Sequence, residues 1–122
     1  MKTSKSHLNY WRDRQIDWQT RYFDTHGHPH RELILRALSF FRFNSLLEVG
    51  CGAGANLLRI MYAYPRVQVG GFDISADAIK VAKKNLPKAY HLDTSPAHDL
   101  FISDKSADVI ITDACLITWD HL

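Results

Sequence analysis

Leu46-Leu47-Glu48-Val49-Gly50-Cys51-Gly52-Ala53-Gly54 is an apolar run that ends in a turn packed with glycine. Its first half shows no polar–apolar alternation, as a central parallel strand buried on both faces requires. Gly50, Gly52 and Gly54 leave no side chains between backbone and ligand, so a nucleotide-like group can lie against the amides. An acid, Glu48, sits two positions before the first of these glycines. About 20 residues later Asp73 closes a second strand-like run, where a carboxylate can accept hydrogen bonds from both hydroxyls of a ribose.

Working outward from this turn, the chain alternates strands and helices. Residues 45–50 read as the first strand, 55–63 as a helix stopped by Pro65, and 66–72 as a strand of Val and Gly. Ser75 can cap the next helix, with Asp77 in its first turn favoured by the helix dipole. Ala78, Ile79, Ala82 and Leu86 form its apolar stripe, and Pro87 ends it. Residues 89–92 predict a short third strand; Asp104-Lys105-Ser106 is a polar turn before a fourth over 108–112. This order predicts an α/β fold: a doubly wound, mainly parallel, Rossmann-like sheet of about four strands with right-handed crossovers.

Two helices are expected before the sheet. Leu8, Trp11, Trp18 and Tyr22 fall on one helical face, read as packing rather than as a lid over an acceptor. Gly27 and Pro29 break the chain, and Pro29 is placed to open a helix presenting Leu33, Ile34, Ala37, Leu38 and Phe41, with Asn44 at its end. Residues 1–44 thus read as a helical segment and 45–122 as the ligand-binding core of the same domain.

At 122 residues and 46% apolar content, the chain is one globular domain with room for a core. Its net charge of +2 is unevenly spread: residues 1–31 hold six Lys/Arg against three Asp, and the remainder nine against ten acids. That surplus reads as solvated surface, not a nucleic-acid footprint. No stretch is long and apolar enough to span a bilayer, and no signal core opens the chain, so a cytoplasmic protein is expected. Cys51 and Cys115 fall in strand-like segments and read as reduced, buried thiols. His26, His28 and His30 alternate, but Gly27 and Pro29 between them argue for a helix-entry loop and against a metal site. That loop could still overhang the ligand mouth and bring a histidine to an acceptor.

The glycine turn also fits Gly-x-Gly-x-x-Ala through Ala55, which a dinucleotide site could use. Glu48 separates the readings. A pyrophosphate is repelled by a nearby carboxylate, whereas a cofactor with an ammonium and a sulfonium is attracted.

The segment from Leu46 to about Trp119 resembles the N-terminal half of a class I S-adenosylmethionine-dependent methyltransferase. Residues 47–54 resemble the first motif of that family, Gly71-Phe72-Asp73-Ile74-Ser75 the second, and 104–110 the turn into the fourth strand. The resemblance implies S-adenosyl-L-methionine as cofactor. It would place Glu48 and the backbone of Gly50, Cys51, Gly52 and Gly54 on the methionine portion, Asp73 on the ribose and Ile74 on the adenine. Asp93, with Thr94, would lie near the adenine amino group, and Thr112 and Asp113 would border the methyl group. Asp113 and His121 are the candidate catalytic residues, and no metal is implied.

The family has three further strands after the fourth, so the resemblance also implies a chain truncated at its C-terminus. The fourth strand would then be a sheet edge: either an oligomer or partner covers it, or the chain is a fragment, or the domain is only marginally stable. Ala107 stands where the family often has a large aromatic, and no Asn/Asp-Pro-Pro-aromatic box follows the fourth strand, which argues against methylation of the exocyclic amines of DNA bases. The expected function is methyl transfer to a small-molecule acceptor; the alternative is a module that binds the cofactor or a partner without turnover.

Overall fold

A computed structural model of the chain describes residues 4–96 and 107–113. The elements run α1 (Ser4–Asp13), α2 (Trp18–Arg21), a 3-10 turn (Phe23–Thr25), α3 (His30–Leu38), β1 (Ser45–Val49), α4 (Ala55–Ala63), β2 (Gln68–Asp73), α5 (Ala76–Asn85), β3 (His91–Thr94) and β4 (Val109–Thr112). All strand pairs are parallel and the sheet order is β3-β2-β1-β4. The first crossovers move one way from β1 and the connection to β4 moves to its other side, so the strand order reverses beside β1. In doubly wound sheets that reversal opens a ligand crevice at the carboxyl ends of the strands.

The core is built from the expected runs. Leu46, Leu57, Ile60, Val69, Phe72, Ala78, Ile79, Ala82 and Leu86 are all buried. Removing each larger apolar side chain from water contributes about 1.5–3 kcal/mol. Ser75 caps α5, its hydroxyl accepting from the Ala78 amide at 3.2 Å. Asp108 fixes where β1 and β4 start: its carboxylate accepts from the Asn44 amide at 2.8 Å, and its own amide donates to Ser45 Oγ at 2.9 Å.

The N-terminal region departs from the expected pattern. A single face over residues 8–23 is replaced by two helices, because Asp17 accepts from the Thr20 amide and restarts the chain as α2. The aromatic stripe survives the break: Trp11 and Trp18 ring centres lie 6.4 Å apart, Trp18 and Tyr22 4.8 Å. Trp18 and Phe23 join the same core as Leu38 and Leu46. α3 stops at Leu38, short of Asn44, and Leu33 and Phe41 of its expected stripe are exposed, while Ile34, Leu35 and Leu38 face the core. β2 and β3 begin two residues later than expected, at Gln68 and His91.

Among the described residues β4 pairs with β1 alone, and Ile110 on it is 63% exposed. Among those residues no helix is long and apolar enough to cross a membrane.

Candidate functional site

The β1–α4 turn is made by backbone that only glycine adopts readily: φ is +75° at Gly50, +55° at Gly52 and +91° at Gly54. The amides of Gly50 and Cys51 both donate to Phe72 O, at 2.8 and 2.9 Å, which pins the turn to β2. Cys51 wedges against that strand so closely that a Cβ on Gly71 would stand 2.7 Å from Cys51 Cβ. Burial, reinforced by the charges of Glu48 and Asp73, pushes the Cys51 thiol well above its ordinary range. Cys51 is therefore a packing sulfur. Trp18 closes the other side, its Cζ3 at 3.5 Å from where Gly52 would carry a Cβ.

Asp73 reaches this turn from the end of β2. Its Oδ2 accepts from the Gly52 amide at 2.8 Å and its Oδ1 from the Ser75 amide at 2.9 Å. Burial raises its carboxyl above the usual range, against the pull of the Ser75, Gly52 and Ile74 amides. Ile74 follows it, half-buried. The Thr94–Asp73 register and the bond from the Ser95 amide to Asp73 O at 2.8 Å bring the end of β3 alongside. Thr94 is exposed there, and Asp93 Oδ2 lies 2.8 Å from His91 Nε2.

Glu48 is 1% exposed. Asn56, in the first turn of α4, donates to its Oε2 at 2.8 Å, while Oε1 is buried without a partner among the described residues. Burial raises the Glu48 carboxyl to about 8; the Asn56 bond and the Arg31 charge oppose this, and Asp113 and Asp73 add to it. A buried carboxylate with an unused oxygen is a place where a cationic group gains a strong partner.

Asp113, just past β4, shares the same amide: Asn56 Nδ2 lies 3.2 Å from its Oδ2. His30, opening α3, brings Nε2 to 2.9 and 3.1 Å of the two Asp113 oxygens. Burial raises the Asp113 carboxyl, but the bonds from His30 and Asn56, with the charges of His30 and Arg31, hold it below the usual range. Arg31 donates to Asn56 Oδ1, and burial lowers its guanidinium against the pull of Glu48 and Asp113. Thr112 is exposed and lies beside Val49 at the end of β1.

The structure thus gathers Glu48, the glycine turn and Asp73 at the carboxyl ends of the two central strands, with Asp113 beside them. Arg31 and Asn56 gave no sequence signal: an arginine in an early helical turn and an asparagine after a glycine turn are ordinary surface choices. His30 was legible only as one of three histidines in a loop. His121 and the 104–106 turn lie outside the described residues.

A methyltransferase domain family matches residues 44–121 of the chain. The chain belongs to this methyltransferase family. The class I S-adenosylmethionine-dependent fold is the one expected from the three motifs, and S-adenosyl-L-methionine is the cofactor that goes with it. The chain is 25% identical over 112 residues to a trans-aconitate 2-methyltransferase of Afipia carboxidovorans, covering 87% of this chain and 42% of that enzyme. A trans-aconitate 2-methyltransferase of Rhodopseudomonas palustris is 27% identical over the same shares. Among solved structures, the plantazolicin methyltransferase BamL, in complex with a triazolic desmethylPZN analog and SAH, is similar at a TM-score of 0.67 and 25% identity. That match covers 85% of this chain and 42% of that one. The chain therefore spans about two-fifths of the length of these relatives.

Proposed function

We propose that the chain binds S-adenosyl-L-methionine at the β1–α4 turn and directs its methyl group to a small-molecule acceptor. The observation that carries this reading is Glu48: a fully buried acid, held on one oxygen by Asn56, open on the other, directly before a turn of left-handed glycines. The residues present fit the cofactor. Glu48 would meet its ammonium, the glycine backbone would accept its methionine portion, and Asp73 would accept from the ribose hydroxyls. Ile74 would pack on the adenine, with Asp93 and Thr94 near its amino group and Thr112 and Asp113 toward the methyl group. The cofactor supplies an electrophilic methyl on a positive sulfur, so the protein contributes alignment and the handling of one proton. A small-molecule acceptor is supported by the relatives named for trans-aconitate.

Calorimetric titration of the full chain with S-adenosylmethionine tests the reading. Saturable binding that Asp73→Ala weakens at least tenfold is expected. A folded chain that binds none overturns the cofactor site. Binding that survives loss of Asp73 overturns its assigned role, and binding without turnover on any acceptor leaves a binding module in place of an enzyme.

A further inference from the structure

Four polar side chains form one hydrogen-bonded line with a steady change in exposure. It starts at Glu48, wholly buried, and passes through buried Asn56 to half-buried Asp113 and exposed His30. The inner end belongs to the cofactor reading above, on which this inference rests. The outer end is exposed to solvent beside the end of β4.

At that outer end the ring chemistry is set by geometry. Both Asp113 oxygens lie within 3.1 Å of His30 Nε2, so that nitrogen carries the hydrogen and donates to the carboxylate. Whenever the ring is neutral its lone pair is therefore on Nδ1, and among the described residues no hydrogen bond occupies that nitrogen. The His30 backbone amide donates to His28 Nδ1 at 3.1 Å, which ties down the loop before α3. Asp113 is held in turn by Asn56, so the base and its orienting acid are fixed to the same amide that holds Glu48. A histidine held by a half-buried carboxylate, with its other nitrogen unoccupied on an exposed ring, is the arrangement of a general base.

We propose that His30, oriented by Asp113, accepts a proton from the methyl acceptor, and that the acceptor atom is therefore one bearing a dissociable proton: an amine, alcohol, phenol or thiol. The acceptor lone pair forms the new bond to the methyl carbon, and the electron pair of the broken carbon–sulfur bond stays on sulfur. The proton leaves the acceptor for His30 Nδ1, and the imidazolium, paired with Asp113, later releases it to water. A carboxylate acceptor, already ionised, draws nothing from this base. Asp113 is a positioning residue here, and Asn56 positions Asp113.

The test uses the full chain, with cofactor affinity measured first by calorimetry. Phenol, a primary alkylamine and an alkyl carboxylate serve as probes for methyl transfer from label-bearing S-adenosylmethionine. His30→Gln is expected to lower transfer to phenol or the amine about 10²-fold or more, with the S-adenosylmethionine Kd changed less than about threefold. Nitrogen NMR of the imidazoles, with S-adenosylhomocysteine present, should show His30 protonated at Nε2 and bare at Nδ1. Nδ1 should shift on adding phenol or amine, and Asp113→Asn should mix the two tautomers. The proposal is overturned by wild-type rates in His30→Gln, by an equal loss toward the carboxylate, or by a protonated Nδ1 in the neutral ring. A ring that responds to neither protic probe overturns it as well, whether or not turnover is seen. No cofactor binding by the folded wild type would instead defeat the function proposed above.

Discussion

Asn56 Nδ2 stands 2.8 Å from Glu48 Oε2, joining the first turn of α4 to a fully buried acid on β1. This amide is the only hydrogen-bond partner of Glu48 among the described side chains, and it decides which carboxylate oxygen stays free. Asn56→Leu removes the donor and leaves Glu48 unpartnered. Leaving a buried polar group unsatisfied costs about 1–3 kcal/mol, so a matching loss of stability is expected in urea unfolding. S-adenosylmethionine affinity should drop at least tenfold in calorimetry. Unchanged values for both would show that the bond holds nothing in place.

The raised Glu48 carboxyl makes stability depend on pH in a direction opposite to ordinary surface acids. In the unfolded chain Glu48 releases its proton near 4.5, and in the folded chain near about 8. Between those values the folded state holds the extra proton, so stability falls as pH rises through that window. Asp73, also raised, adds to the fall at the acidic end, whereas Asp113, lowered, acts oppositely below its ordinary range. Unfolding midpoints measured from about pH 5 to 8 should decline, and Glu48→Gln should flatten the decline. A wild-type midpoint that climbs across the window contradicts the burial of a protonated Glu48.

The same shift predicts proton release on ligand binding. A cation seated against Glu48 favours the carboxylate, so near neutral pH the chain should give up close to one proton as S-adenosylmethionine binds. Calorimetry in two buffers of different ionisation enthalpy reads this directly. Equal apparent enthalpies in both buffers would remove Glu48 from the ammonium.

Two glycines that differ in crowding should respond differently to alanine. A Cβ on Gly70 would stand 2.4 Å from His91 O, at the first pair of the β2–β3 register, while one on Gly27 meets nothing within 4 Å. Gly70→Ala should destabilise by about 1–3 kcal/mol, the usual cost of forcing atoms into a packed core. Gly27→Ala should stay within about 0.5 kcal/mol of wild type. Thermal unfolding of the two variants side by side decides it.

Much of the fold was legible because each local signal was strong by itself. The run 45–50 could only be a buried strand, Ser75 marked a cap, and Pro65 and Pro87 punctuated helices. Asp17 was not read as a cap, since the aromatic periodicity runs through it; its side chain nonetheless stops one helix and starts another. The inner site could be read because Glu48, the glycines and Asp73 lie within two adjacent βα units. Arg31, Asn56 and the pairing of His30 with Asp113 could not, because contacts across 83 residues arise only from the sheet order and from where α3 docks.

That separation has a consequence for the population of folded chains. The line from Glu48 to His30 draws on α3, β1, α4 and the end of β4, so no partly folded fragment can present it. A ligand seated there stabilises only the complete fold, by RT ln(1 + [L]/Kd), or about 2.7 kcal/mol at a hundredfold excess over Kd. The supply of methyl donor would then act as a thermostat on how much of the chain survives, independently of any methyl group transferred.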